Sequence, residues 1–201
     1  MNTQAITVTA VLAAVAVVLN PAVTGIGVPA PYAPFLIYQL WEIPIVVAFL
    51  LLGPKYGISI SVLNAIVLLG VFPGALITGP FYNLIASLSM LLGVYIAHRF
   101  IKRKTPETMP RISEAKSVTL LVTASTVLGM TLRVVVMTIV NFLALRYPPP
   151  IGYSLPEPVI LGFLPLIGLF NATLALYTVP IGHLIADAVR SRSNLRFDNQ
   201  N

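Results

Sequence analysis

The sequence predicts an all-α integral membrane protein of six transmembrane helices, with both termini in the cytoplasm. Its residues are 57% hydrophobic and only 9% charged, and the mean hydropathy is +0.92. A soluble domain of this size would have about a quarter of its residues charged. Long apolar stretches alternate with short polar or proline-rich segments, and the positive charges are concentrated in every second segment, as the positive-inside rule requires. We therefore expect one membrane domain over residues 1–201.

The first predicted helix covers residues 4–19 and ends at Asn20-Pro21, because proline cannot continue the helical hydrogen-bond pattern. The residues before it include no Lys or Arg, so the basic region of a signal peptide is missing and the helix is expected to be a membrane span. Ala10 and Ala14 form a small-xxx-small face, which lets another helix approach closely. That second helix belongs either to this chain or to a partner protein.

Residues 24–41 are too irregular for a spanning helix and too apolar for an ordinary solvated loop, since they include three prolines, two glycines and no charge. We predict a re-entrant or capping segment over the outer face. Its aromatic residues either stack on a planar ligand or form an interfacial belt, and both interpretations stay open. These aromatics are Tyr32, Phe35, Tyr38 and Trp41.

Five further helices follow the capping segment. The second and third of the six helices are short for a hydrocarbon core of ~30 Å, at ~1.5 Å per residue, so they are expected to pack within the bundle or to be extended by loops. A basic cytoplasmic loop is predicted at 98–116 and a flexible tail at 190–201. The predicted helices are 42–53, 57–72, 79–101, 117–145 and 160–189.

The net charge of +6 does not indicate nucleic-acid binding, because the positions of the charges favour another explanation. All Lys and Arg except two lie beside apolar segments on the predicted inner side. Arg146 lies on the outer side, and Arg133 lies within the fifth helix. This distribution is typical of membrane orientation and not of a polyanion-binding patch.

Arg133 lies near the middle of the fifth helix, where a cation costs at least ~2.5 kcal/mol and must face protein or a water-filled cavity. Glu42 is the only acid in the outer half apart from Glu157, which lies in a loop. An ion pair between Glu42 and Arg133 is therefore expected, and we assign Arg133 a structural role. Asn64, in the third helix, is a second structural polar residue.

Several polar residues are predicted to lie at similar depth in the outer half of the membrane, beneath the aromatic segment. Amide groups between apolar walls suit a pocket for a small, flat, polar-edged molecule. Alternatively, each amide holds two helices together by a hydrogen bond. The candidate ligand-binding residues from this argument are Tyr38, Trp41, Glu42, Asn83, Asn141 and Asn171.

No enzyme motif occurs in the sequence: there are no paired carboxylates within the membrane, no HExxH, no GxSxG and no Walker A loop. The chain is therefore not expected to be an enzyme or to hydrolyse ATP. The absence of cysteine and the presence of only two histidines make a metal site unexpected, and no cofactor is expected.

Short motifs along nearly the whole chain resemble the substrate-binding S components of energy-coupling factor (ECF) transporters, and the riboflavin type most closely. The motifs are AxxxA at 10–14, WEIP at 41–44, LGP at 52–54, GMTLR at 129–133 with Met137 and Asn141, and FN at 170–171.

The resemblance implies a subunit that captures a vitamin from outside and releases it inside. It also implies a T component, bound through the alanine face of the first helix, and two ABC ATPases. Glu42, Asn141 and Asn171 match binding positions of the family. The riboflavin type tends to carry a lysine three residues after the last of these, where this chain has Leu174. The resemblance thus adds Leu174 to the expected ligand-binding residues.

We therefore expect an S component for riboflavin, or for another vitamin or related heterocycle. Two other functions stay open. One is a stand-alone carrier or channel that uses Arg133 and Glu42 in its path, and the other is a membrane scaffold without a ligand, in which the asparagines only hold helices together.

Overall fold

The computed structural model describes residues 3–25, 27–71, 77–102 and 111–192. Within these ranges the chain forms seven helices and one two-stranded antiparallel sheet. The helices are α1 (Thr3–Val18), α2 (Pro21–Thr24), α3 (Glu42–Leu52), α4 (Pro54–Val71), α5 (Gly79–Lys102), α6 (Arg111–Ala144) and α7 (Glu157–Arg192), and the strands are β1 (Val28–Ala30) and β2 (Ala33–Tyr38).

Four of the helices, α4 to α7, are long and apolar enough to cross a membrane. The other two apolar helices are shorter, with 16 residues in α1 and 11 in α3. At about 1.5 Å per residue, α3 is roughly 16 Å long and covers about half of a hydrocarbon core. The six predicted apolar helices are thus present as helices, and α3 is the one furthest from spanning length.

The helix ends differ from the sequence prediction in three places. Pro54 begins α4 instead of separating it from α3, because proline lacks only an N–H that the first turn leaves unpaired anyway. Both described ends of the predicted basic loop at 98–116 are helical, since α5 continues to Lys102 and α6 begins at Arg111. Residues 103–110 lie outside the described residues. The predicted tail also begins inside α7, and residues 193–201 lie outside the described residues.

The segment after α1, predicted as an irregular re-entrant or capping segment, forms the short helix α2 and a β-hairpin, which is the one β element of the otherwise helical described residues. Strands β1 and β2 pair with Val28 opposite Tyr38 and Ala30 opposite Ala33, and the register shifts after Pro29. Pro29 fits in β1 because an edge strand has one side without ladder hydrogen bonds. The backbone of this segment therefore pairs with itself, which an apolar environment requires.

Helix α3 is enclosed by the rest of the bundle, with ten consecutive buried residues from Glu42 to Leu51. It packs against α1, α4 and α7. Two glycines allow the neighbouring helices to come close: a Cβ on Gly57 would lie 2.7 Å from Cβ of Phe49, and a Cβ on Gly182 would lie 2.5 Å from Cγ1 of Val46. Helix α3 has no polar face, and this is consistent with its burial on all sides.

Hydrogen bonds to α7 fix the depth at which α3 lies. The hydroxyl of Tyr177 donates to the carbonyl of Gln39, just before α3, and the guanidinium of Arg190 donates to the carbonyl of Leu50, near its end. Tyr177 is close to the middle of α7, and Arg190 is in its last turn. Helix α3 therefore lies along the half of α7 that the charge distribution predicts to be inner, and the hairpin lies along the outer half.

Candidate functional site

The first turn of α3 places two buried side chains directly after the hairpin. Trp41 is 1% exposed and Glu42 is 0% exposed. A carboxylate in the first turn is favoured by the partial positive charge of the helix N-terminus. The indole Nε1 of Trp41 and the Oε1 atom of Glu42 have no hydrogen-bond partner among the described residues. Two polar atoms are thus buried at the start of α3 without partners in the part of the chain that the structure describes.

Arg133 of α6 reaches Glu42 and forms the ion pair that the sequence predicts. Its Nη1 atom lies 2.5 Å from Oε2 of Glu42, and its Nε atom donates to Oδ1 of Asn171 at 3.0 Å. Sδ of Met90 lies 3.7 Å from the same Nη1. Arg133 is 2% exposed, so both charges of the pair are buried. Close charge-assisted hydrogen bonds offset the cost of removing these charges from water.

Asn171 connects this pair to α7 and uses both ends of its amide. Its Oδ1 atom accepts from Arg133, and its Nδ2 atom donates to the carbonyl of Ile167 at 2.9 Å. The predicted ligand-binding role of Asn171 stays a prediction. In this structure the residue links α6 to α7 through Arg133.

The hairpin packs its aromatic side chains on α7 next to this network. The ring of Tyr38 lies 5.3 Å from that of Phe170, centroid to centroid, and the hydroxyls of Tyr32 and Tyr38 are 2.8 Å apart. Leu174, a predicted site residue, is fully buried in this cluster, together with Ala30.

Asn83 and Asn141 lie nearer the predicted outer ends of their helices than Arg133 does. Both are half-buried, and Nδ2 of Asn141 donates to the carbonyl of Met137 on its own helix at 2.7 Å. Neither belongs to the buried network of Arg133. Their predicted ligand-binding roles stay predictions.

Thr178 is a buried residue of this region that the sequence analysis did not single out. Its hydroxyl has no hydrogen-bond partner among the described residues, and the residue is 0% exposed. It lies seven positions after Asn171, with Leu174 between them, so the three share one face of α7. That spacing is the sequence signal that would have identified it.

The remaining predicted residues lie away from this region. On α1, Ala10 and Ala14 are exposed, whereas Ala13 and Ala16 are buried against the bundle. The Ala10–Ala14 face is therefore not covered by the described residues of this chain. Asn64 of α4 is 2% exposed, and its Oδ1 atom has no hydrogen-bond partner among the described residues.

No group of three or more potential metal ligands occurs among the described residues. The chemistry available at the start of α3 consists of hydrogen bonding, aromatic stacking and apolar contact. Such a set of groups suits binding of a small molecule and offers no activated nucleophile.

Comparisons with known proteins identify a family and a similar solved structure. A family model described as "ECF transporter, substrate-specific component" matches residues 4–186. The fold is also similar to a solved structure of the S component of a bacterial ECF transporter, with a TM-score of 0.69 and 22% sequence identity, covering 95% of this chain and 98% of that one. A search of curated proteins finds no match.

Proposed function

The chain belongs to the family of ECF transporter substrate-specific components, and from this premise we propose that it captures riboflavin or a related small heterocycle from outside the cell. As a member of this family it is a multi-pass membrane protein and a substrate-binding subunit, not an enzyme. S components work with a T component and ABC ATPases, which supply the energy for uptake.

The packing of the aromatic hairpin beside the Glu42, Arg133 and Asn171 network is the observation that carries the proposal. Tyr38 offers a ring, and the start of α3 offers a donor on Trp41 and an acceptor on Glu42 without partners among the described residues. A planar heterocycle with N–H and C=O groups along its edge needs this combination of surfaces. Asn83, Asn141 and Leu174 are further proposed ligand contacts around it.

In the membrane, the proposed topology has six crossings with both termini in the cytoplasm. Helix α3 and the hairpin together form one crossing, because α3 lies along the inner half of α7 and the hairpin along its outer half. Non-helical backbone at membrane depth is tolerated where protein covers it, and Phe170 and Leu174 of α7 pack against the hairpin.

We further propose that α1 binds the T component through Ala10 and Ala14. The exposure of these two residues, beside the buried Ala13, supports an external partner over a helix of this chain. Small residues let two helix backbones approach closely, which provides van der Waals contact in a lipid environment.

Titration of the purified protein in detergent with riboflavin tests the substrate. Stacking on Tyr38 and proximity to Trp41 should quench flavin fluorescence, and we expect saturable one-to-one binding at nanomolar concentration, about −12 kcal/mol. Failure of the folded protein to bind riboflavin would remove the flavin assignment. Uptake by cells that lack the ATPases would instead favour the stand-alone carrier.

A further inference from the structure

The ion pair leaves the interior of the bundle without a net charge. Glu42 and Arg133 neutralise each other, and the sequence has no Asp, Glu, Lys or Arg between Lys55 and Arg99. The two other charges of the outer half, Arg146 and Glu157, are both exposed. A charged group of a ligand enclosed near the hairpin would therefore have no counter-ion available.

The N-terminus of α3 is the place in this region that would attract an anion. A helix N-terminus carries a partial positive charge, and half-helix ends at membrane depth commonly hold anionic groups of a substrate. Here the carboxylate of Glu42 occupies the first turn of α3 and also accepts from Arg133. The positive potential of the α3 N-terminus and that of Arg133 are thus both neutralised by a carboxylate of the chain itself.

We propose that the substrate of this protein is uncharged and that Glu42 is the residue that excludes anionic substrates. The inference rests on the proposed function, because it assumes that the ligand binds beside the hairpin. An ionic group moved from water into a site without a counter-ion pays a large desolvation cost, whereas a neutral group pays little if its hydrogen bonds are replaced.

Two buried atoms indicate which neutral groups the site recognises. Oε1 of Glu42 is an acceptor, and Nε1 of Trp41 is a donor, and neither has a partner among the described residues. A ring with an amide or imide edge presents a matching N–H and C=O. The substrate class is therefore a neutral heterocycle with such an edge, and not a carboxylate-bearing or cationic vitamin.

A matched pair of ligands tests the proposal on the whole protein in detergent at pH 7. The pair consists of riboflavin with a carboxylate in place of the methyl group at ring position 8 and the same compound as its carboxamide. We expect the carboxamide to bind at least ~100-fold more tightly, because only the carboxylate is ionised at this pH. Equal or tighter binding of the carboxylate would overturn the proposal.

The variant Glu42→Gln tests the role of the residue. It leaves Arg133 and the N-terminus of α3 without a neutralising carboxylate, so the preference for the carboxamide should fall at least ~10-fold. Glu157→Gln, which removes an exposed acid at the start of α7, is the control and should leave the preference unchanged. An unchanged preference in a folded Glu42→Gln protein would contradict the role of Glu42. If that variant does not fold, the wild-type ratio alone decides the substrate charge.

Binding of riboflavin itself separates this inference from the proposed function. If the folded protein does not bind riboflavin, the flavin assignment fails, and the small molecule that co-purifies with the protein is identified by mass spectrometry. A compound that is neutral at pH 7 would then support the proposal that the substrate is uncharged, and an ionised compound would overturn it.

Discussion

The guanidinium of Arg133 and the carboxylate of Glu42 form an ion pair of 2.5 Å in which both side chains are buried. Arg133 also binds Asn171, so the pair connects α3, α6 and α7 at one point. Three helices from distant parts of the chain are thereby held at fixed depth relative to each other.

Replacing one residue of this pair should destabilise the protein more than replacing both. We expect Glu42→Met or Arg133→Met alone to cost roughly 3–5 kcal/mol, because each leaves a buried charge without its partner, whereas the double variant should be close to neutral. Thermal unfolding in detergent measures the difference, with the exposed Arg146→Met as control. Additive losses in the double variant would contradict a direct interaction.

Removing the hydroxyl of Tyr177 should loosen the connection between α7 and the segment that follows the hairpin. Tyr177→Phe deletes the donor to the carbonyl of Gln39, a bond of 2.6 Å worth about 1 kcal/mol. We expect roughly fivefold faster ligand release, measured by stopped-flow fluorescence. Tyr153→Phe, at an exposed position, should leave the rate unchanged. Equal release rates in both variants would mean that this bond does not restrain the ligand.

Two adjacent alanines of α1 should respond differently to a large side chain. Ala14 is exposed, so Ala14→Trp should abolish assembly with the T component while ligand binding persists. Ala13 is 4% exposed, and Ala13→Trp should destabilise the fold by about 1–3 kcal/mol or more through overpacking. Co-purification and thermal unfolding measure the two effects. Loss of ligand binding in Ala14→Trp would indicate that this face packs inside the subunit.

Two glycines of α7 provide a matched test of the packing around α3. A Cβ on Gly182 would lie 2.5 Å from Cγ1 of Val46, whereas a Cβ on Gly162 would meet nothing within 4 Å. Gly182→Ala should therefore lower stability by about 1–3 kcal/mol. Gly162→Ala should raise it by up to about 1 kcal/mol, because alanine favours a helix. Opposite signs in thermal unfolding are the expected result, and equal shifts would contradict the close approach.

The ion pair and the apolar helices were predictable from the sequence for simple physical reasons. A cation in an apolar stretch requires a partner. Glu42 was the only suitable acid in the sequence, so it was the predicted partner of Arg133. Apolar stretches of helical length that are bounded by Pro and Gly likewise indicated where the helices lie. The direct bond of Asn171 to Arg133 was not predictable, because helix rotation depends on packing.

The hairpin was not predictable, because the pairing of β1 with β2 depends on contacts that the local sequence does not encode. Three prolines within residues 24–41 indicated irregular backbone. The packing of Tyr38 on Phe170 connects residues more than a hundred positions apart, and it positions the strands on α7. For the same reason the complete burial of Leu174 under the hairpin could not be inferred from its position on a helix.

The enclosure of α3 also affects the biogenesis of the protein. Glu42 precedes Arg133 by 91 residues, so during translation the acid leaves the ribosome well before its partner is made. At roughly 5–20 residues per second, this interval lasts on the order of ten seconds. A helix of 11 residues that begins with a carboxylate is too short to span lipid alone, so we expect α3 to enter the membrane stably only once α6 has arrived.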